Sequence, residues 1–105
     1  MEQFKVILAT RAKSQLLSHV SFLSRVSHPA AKRLRDSFGT IKSRLEDNPF
    51  QFPLDPVFAQ LKLPYRSALF EGRYKVLFTV EDRNVFIDSV VDCRQNLDVD
   101  SDLIN

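Results

Sequence analysis

Four cationic side chains in the second half of the chain have the types and the spacing needed to bind an anion. Arg66, Arg73 and Lys75 lie close together in the sequence, and Arg94 follows an apolar run that ends near residue 91. An arginine presents a fixed fork of donors to anionic oxygens. If the fold brings the four side chains together, they form a site for a phosphate or a peptide. The strands that carry them decide whether they meet.

The second half of the chain alternates apolar and polar residues, which predicts three β-strands. The predicted strands and the turns between them are 65–70, Glu71-Gly72, 73–81, Asp82-Arg83 and 84–91. Two-residue connections of this kind are typical of β-hairpins. The three strands are therefore predicted to pair as consecutive antiparallel hairpins.

An even number of residues in each turn would determine which side chains share a face of the sheet. In that register Arg73 opposes Phe70. One open face then carries all four cations: Arg66, Arg73, Lys75 and, one pleat beyond Asp92, Arg94. That face also carries Phe70, Leu77, Phe86, Val90, Asp88 and Asp92. The opposite face is predicted to be the core face: Ser67, Leu69, Tyr74, Val76, Phe78, Val80, Val85, Ile87, Ser89 and Val91. A slip of one residue would scatter the four cations.

Two interpretations of the cationic face remain open. An antiparallel sheet often exposes one charged face to water, where the stems of arginine and lysine cover apolar neighbours. Alternatively, the face is a groove for phosphate or peptide, in which aromatic rings could stack on bases.

The first half of the chain predicts a short strand and two amphipathic helices. The strand covers 4–9, and Thr10 could cap the helix that follows it over 11–26. Pro29 then opens a second helix that runs to about Asp47. The apolar stripes of the two helices are Ala12, Leu16, Val20, Leu23 and Val26, followed by Ala31, Leu34, Phe38, Ile41 and Leu45. Matching stripes and a short link predict an antiparallel helical hairpin.

The order of these elements predicts an α+β fold. It is β-α-α-β-β-β, an antiparallel sheet with a helical hairpin packed on one face. Residues 49–64 contain four prolines and are predicted to be a loop, with one helical turn near Val57 to Leu61.

Length and composition indicate one globular domain. The chain has 105 residues, of which 44% are hydrophobic and 27% are charged. Residues 1–75 carry 13 Lys or Arg against 6 Asp or Glu, whereas residues 76–105 carry 2 against 7, so a basic body precedes an acidic end. A single cysteine, Cys93, and the lack of a long apolar stretch predict a cytoplasmic protein without a membrane span.

Three short motifs in the second half give the chain a family resemblance. They are Tyr65-Arg66, the run "GRYKVLF" over 72–78, and "DCRQN" over 92–96; "HPAAKRL" over 28–34 adds to them. In this order and spacing the chain resembles the RelE/ParE superfamily, the toxins of bacterial type II toxin–antitoxin modules, also called plasmid stabilisation proteins. The resemblance covers residues 1–96 as a toxin domain, and leaves 97–105 as an acidic C-terminal tail.

The resemblance implies a growth-inhibiting toxin with one of two activities. RelE-like members cut mRNA on the ribosome, whereas ParE-like members poison DNA gyrase; both are neutralised by a cognate antitoxin protein. Carried onto this chain, Arg66, Lys75 and Arg94 stand at family cationic positions and would be catalytic only in a nuclease. With Arg73 they would otherwise bind phosphate or a partner. An inactive interaction module of the same fold is a third possibility.

Departures from the family pattern make the nuclease set incomplete. Ala68 occupies the position of a second family lysine, and the sequence after Arg94 contains no tyrosine or histidine. Arginine and lysine are poor general bases. His19 and His28 are predicted on the helix surface and at the helix start. These departures favour a ParE-like toxin over an enzyme, and the sequence gives no sign of a cofactor or metal site.

Overall fold

The computed structural model describes residues 3–95. The elements are β1 (Lys5–Leu8), α1 (Thr10–Val26), α2 (His28–Asp47), a 3₁₀ turn (Pro49–Gln51), α3 (Pro56–Gln60), β2 (Arg66–Phe70), β3 (Tyr74–Glu81), β4 (Asn84–Asp92) and a second 3₁₀ turn (Cys93–Gln95). The predicted α+β order is confirmed, with α3 as one short helix inside the proline-rich segment. Asn96 and the predicted acidic tail lie outside the described residues. No helix in the described part of the chain is both long and apolar enough to cross a bilayer.

The second helix forms as the sequence predicts. Ser27 caps it, because its Oγ accepts a hydrogen bond from the Ala30 amide at 3.3 Å, and Pro29 occupies a first-turn position where no hydrogen bond is lost. All five residues of its predicted apolar stripe are buried. Regular spacing of large apolar residues therefore determined the inner face of α2.

The first helix ends at Val26 as predicted, but it differs from its prediction at its first residue and in the burial of Val26. Thr10 is the first helical residue rather than a cap, and Ala9 precedes it without a capping side chain. Ala12 is buried, and Leu16, Val20 and Leu23 pack against the core. Val26, the last member of the predicted stripe, is 71% exposed because the helix ends at this residue.

The sheet is mixed rather than wholly antiparallel. Its order is β1-β4-β3-β2; β2, β3 and β4 pair as antiparallel neighbours, and β1 pairs in parallel with β4. The prediction of a wholly antiparallel sheet is therefore wrong at β1. After the two hairpins, β4 lies beside β1 and runs in the same direction. Residues of both long helices and of the strands form one core cluster.

The register of the first hairpin differs from the predicted one. Phe70 pairs with Tyr74 rather than Arg73, so the turn holds three residues and not two. Both Glu71 and Gly72 have positive φ angles, 53° and 62°, which allow the chain to reverse before Arg73. The odd length moves β2 by one residue, and its side chains exchange faces.

This exchange corrects the predicted faces of β2. Phe70 belongs to the core cluster, whereas Leu69, predicted in the core, is 61% exposed. Arg66 pairs with Phe78, a core residue, whereas Lys75 pairs with Leu69. Because directly opposed residues share a face, Arg66 and Lys75 lie on opposite faces of the sheet.

The second hairpin keeps its predicted register only near the turn. Glu81 pairs with Asn84 around the two-residue turn. Near it Phe78, Val85 and Ile87 are core residues as predicted, and Val80 packs against the core. Val76, which lies beyond this region, is also in the core as predicted. A register shift between Leu77 and Phe78 leaves Asp88 as an extra residue in β4. Between this shift and the end of β4, the pairing differs from the predicted one. Asp92 pairs with Tyr74 instead of Arg73, and Val90 belongs to the core cluster instead of Val91.

Side chains of α1 cover the edge of β4 that β1 does not reach. The Val90 amide donates to Gln15 Oε1 at 2.7 Å, and the Val90 carbonyl lies 2.9 Å from His19 Nε2. Because a carbonyl only accepts, Nε2 carries the proton. His19 therefore ties the helix to the sheet rather than lying on the helix surface, whereas the exposed His28 begins α2 as predicted.

The two glycines are expected to respond in opposite directions to alanine. Gly72→Ala should lower the free energy of unfolding by about 1 kcal/mol, because φ is +62° and a side chain is strained there. Gly39→Ala, in the middle of α2 with open space around it, should raise that free energy by about 0.5–1 kcal/mol. Urea unfolding of both variants tests the pair, and equal effects would contradict the three-residue turn.

Candidate functional site

Lys75 is neutralised by a carboxylate from the proline-rich segment. Its Nζ donates to Asp55 Oδ2 at 2.9 Å, and the two side chains are only 20% and 1% exposed. Asp55 Oδ1 also accepts from the amides of Val57 and Phe58, which makes it the cap of α3. Lys75 points away from the helices, as predicted, but its charge is already engaged.

Arg73 is neutralised in the same way at the other end of β3. Its Nε and Nη2 donate to Asp92 Oδ2 at 3.0 and 2.8 Å, and the Asp92 side chain is 4% exposed. Asp92 Oδ1 accepts from the backbone amide of Arg94 at 2.9 Å. One buried carboxylate therefore organises both Arg73 and the turn that carries Arg94.

Arg66 and Arg94 have different environments. Arg66 Nη1 donates to the Phe52 carbonyl at 2.7 Å, and its guanidinium lies over the Phe50 ring. Arg94 is exposed, and within residues 3–95 its side chain forms no ion pair. Of the four predicted cations, only Arg73 and Arg94 share a partner, which is Asp92. Arg66 and Lys75 bind other residues and lie on opposite faces of the sheet.

The chemistry available at Arg94 is electrostatic rather than acid–base. Burial raises the pKa of the nearby Tyr74 hydroxyl, so this group stays protonated near neutral pH and can donate but not act as a base. Ala68, at the position of the second family lysine, is buried in the core. Nowhere in the described chain do three His, Cys, Asp or Glu side chains approach closely enough to hold a metal ion.

Both neutralising carboxylates have lowered pKa values. Burial by itself raises the pKa of Asp55, but the hydrogen bond and charge of Lys75, together with hydrogen bonds from Ser67 and the Phe58 amide, outweigh it and hold the pKa below its usual range. Burial likewise raises the pKa of Asp92, and hydrogen bonds from Arg73 and the Arg94 amide outweigh it. Each carboxylate is therefore ionised in the native protein at neutral pH.

Acid is expected to destabilise the protein through these two groups. An aspartate whose pKa is lower in the native than in the unfolded protein, where it is about 3.9, stabilises the native state at pH values above about 3.9. This stabilisation is lost as the pH falls through the native pKa. The urea midpoint should therefore decrease as the pH falls below about 4. Asp55→Asn should make this decrease shallower, and an unchanged pH profile in that variant would contradict the assignment.

The proline-rich segment supplies functional residues that the sequence interpretation missed. Asp55 reaches Lys75 across 20 positions, and the signal for it was local: an aspartate before proline is a good helix cap. Tyr74 was predicted only as a core residue. Its ring lies 5.0 Å from that of His19 and beneath the Arg73 guanidinium, so it belongs to the Asp92 region.

Comparison with known proteins leaves the family unassigned. The chain matches none of the protein-family models against which it was scanned, and no curated protein is significantly similar to it. The resemblance to the RelE/ParE superfamily therefore depends on the short motifs and on their positions in the fold.

Proposed function

We propose that this chain is the toxin of a bacterial type II toxin–antitoxin module, and that it acts by binding its target rather than by cutting RNA. The target would be DNA gyrase or a related protein, as for ParE-like toxins, and a cognate antitoxin would neutralise it. The observation that carries the proposal is the position of the motifs on the fold. Arg66 opens β2 directly after Tyr65, residues 72–78 cover the end of the turn and most of β3, and Asp92 ends β4 with Arg94 in the 3₁₀ turn that follows.

The ion pairs favour binding over RNA cleavage. A nuclease needs cations that can stabilise a pentavalent phosphate and a group that can take the proton of the 2′-hydroxyl. Lys75 and Arg73 are each paired with a buried carboxylate, and Tyr74 is a poor base. The exposed Arg94 remains able to contact a partner at the surface, so it is the residue most directly involved in the proposal.

Induced expression in bacteria tests the toxin activity. The chain should stop growth when expressed alone and should not do so when its small neighbouring gene is expressed with it. Arg94→Ala should abolish the growth arrest without loss of folded protein, whereas Arg25→Ala, which removes another exposed arginine, should leave it intact. Unchanged growth with soluble wild-type chain would instead support the inactive interaction module.

A second pair of measurements separates the two toxin activities. Gyrase supercoiling by purified enzyme should decrease when the chain is added, and mRNA from induced cells should show no new ends. Cuts in phase with codons, combined with unaffected supercoiling, would overturn the gyrase proposal and establish the RelE-like alternative. In that case Arg66→Ala and Lys75→Ala should reduce cleavage together with Arg94→Ala.

A further inference from the structure

A small cleft lies between the two long helices and the first hairpin. Its walls come from the end of α1, the first turns of α2, and the turn between β2 and β3; they are Leu23, Ala30, Arg33, Leu34, Glu71, Arg73 and Tyr74. Its volume is about 150 Å³. A cavity of this size holds a group no larger than a benzene ring, whereas sites for cofactors are several-fold larger. The cleft therefore accepts one side chain.

Tyr74 contributes a donor to this cleft that nothing else uses. The residue is 97% buried, at 3% exposure, yet its hydroxyl forms no hydrogen bond within residues 3–95. In the same part of the chain no enclosed side-chain polar atom lacks a partner, so this hydroxyl must reach accessible space. Tyr74 is one of the residues that line the cleft. A buried phenol in this position can donate to an incoming acceptor.

Two guanidinium groups bring further donors to the same cleft. Arg73 uses Nε and Nη2 on Asp92, which leaves the Nη1 donors outside that pair. Arg33 Nε is 3.9 Å from Glu71 Oε1, beyond hydrogen-bond distance, and its side chain is 65% exposed. Residues of α2, the turn and β3 that carry such donors thus line one small volume. Because guanidinium donors bind carboxylates in a planar, charge-assisted manner, the lining selects an anionic acceptor.

The other residues that line the cleft favour a ligand with a single negative charge and an apolar stem. Leu23, Ala30 and Leu34 form an apolar wall suited to methylene groups. Glu71, whose Oε2 accepts from Ser37 Oγ at 2.5 Å, places one negative charge at the same cleft. That charge penalises a phosphate dianion more than a carboxylate.

We infer that this cleft binds one acidic side chain of a partner protein, a glutamate or aspartate whose carboxylate meets Tyr74, Arg33 and Arg73. The inference concerns the cleft rather than the Arg94 side chain, and it does not depend on toxin activity.

Titration of the isotope-labelled full chain with N-acetyl-glutamate amide tests the cleft, with N-acetyl-glutamine amide as the matched neutral probe. The acidic probe should shift the NMR signals of the Arg33 and Arg73 Nε–H groups and of the amides of residues 71–74. The neutral probe should not. Equal shifts from both probes, or shifts confined to other residues, would overturn the inference, as would tighter binding of inorganic phosphate at the same signals.

Two variants give opposite expected changes in affinity for the acidic probe. Tyr74→Phe keeps the ring and removes only the donor, so it should weaken binding about tenfold. Glu71→Gln removes the competing charge and should tighten binding by a few fold. Arg25→Gln, outside the cleft, should leave the affinity unchanged. An unchanged affinity in Tyr74→Phe, or weaker binding in Glu71→Gln, would contradict the proposed site.

Discussion

Replacement of Asp55 by alanine is expected to lower the free energy of unfolding by about 3–5 kcal/mol, because one partner of a buried ion pair is lost. The Lys75 ammonium, only 20% exposed, would remain without its carboxylate. The amides of Val57 and Phe58 would lose their cap at the start of α3. Thermal unfolding should show a fall in Tm of more than about 12 °C.

Variants of a buried and an exposed ion pair separate the effect of burial from the effect of charge. Asp36→Ala removes an ion pair with Lys32 whose side chains are 66% and 70% exposed, and it should cost far less stability than Asp55→Ala. Asp55→Asn keeps an oxygen that can cap α3, so it should be less damaging than Asp55→Ala. If Asp55→Ala lowered the free energy of unfolding no more than Asp36→Ala, the Asp55–Lys75 pair would not be the contact that holds the proline-rich segment against the sheet.

The engagement of Lys75 has a consequence for the candidate site. A lysine held by a buried carboxylate cannot approach a phosphate without breaking that pair, and breaking it carries the cost expected for Asp55→Ala. Lys75 therefore anchors the segment around α3 to the sheet. Arg94 has no such carboxylate partner for its side chain in the described chain, so it is available to an external ligand after the end of β4.

Local sequence patterns were sufficient to predict the helices and the centre of the sheet. The stripe of α2 repeats at three and four residues, and helical geometry then fixes which residues are buried. Alternation around the Asp82-Arg83 turn likewise placed Phe78, Val85 and Ile87 in the core. In both cases each residue's position follows from its near neighbours.

The faces of β2 could not be predicted, because they depend on one residue in a turn. Glu71-Gly72 suggests a two-residue connection, and Arg73 fits the charge alternation of a strand. The positive φ of Glu71 makes the turn one residue longer, an outcome that a glutamate does not signal. A single residue then exchanges every side chain of β2 between faces, which separates Arg66 from Lys75.

Contacts between residues far apart in the sequence could not be predicted for a different reason. Asp55 meets Lys75 because the proline-rich segment crosses to the sheet, and that segment has no periodicity from which to predict its path. Gln15 and His19 meet Val90 across more than 70 positions. Such contacts depend on how elements pack, so the sequence suggested a cationic cluster where the fold instead places ion pairs.

Replacement of Asp92 by alanine should also lower the free energy of unfolding by about 3–5 kcal/mol. Asp92 binds two donors of Arg73 and the amide of Arg94, and it is 4% exposed, so its loss leaves a guanidinium and an amide without their acceptor. Asp88→Ala is the control on the same strand, because Asp88 is 31% exposed and its partner Arg11 is 54% exposed; it should cost clearly less than Asp92→Ala.

A double replacement shows whether the loss comes from the pair or from the shape of the site. Arg73→Met with Asp92→Leu removes both charges and keeps apolar volume, so it should recover much of the stability lost in Asp92→Ala. Urea unfolding of the three proteins gives the comparison. A double variant as unstable as Asp92→Ala would mean that the Arg94 amide, not Arg73, is the partner that matters. Recovery would instead show that the loss in Asp92→Ala comes from the Arg73 guanidinium left without its carboxylate.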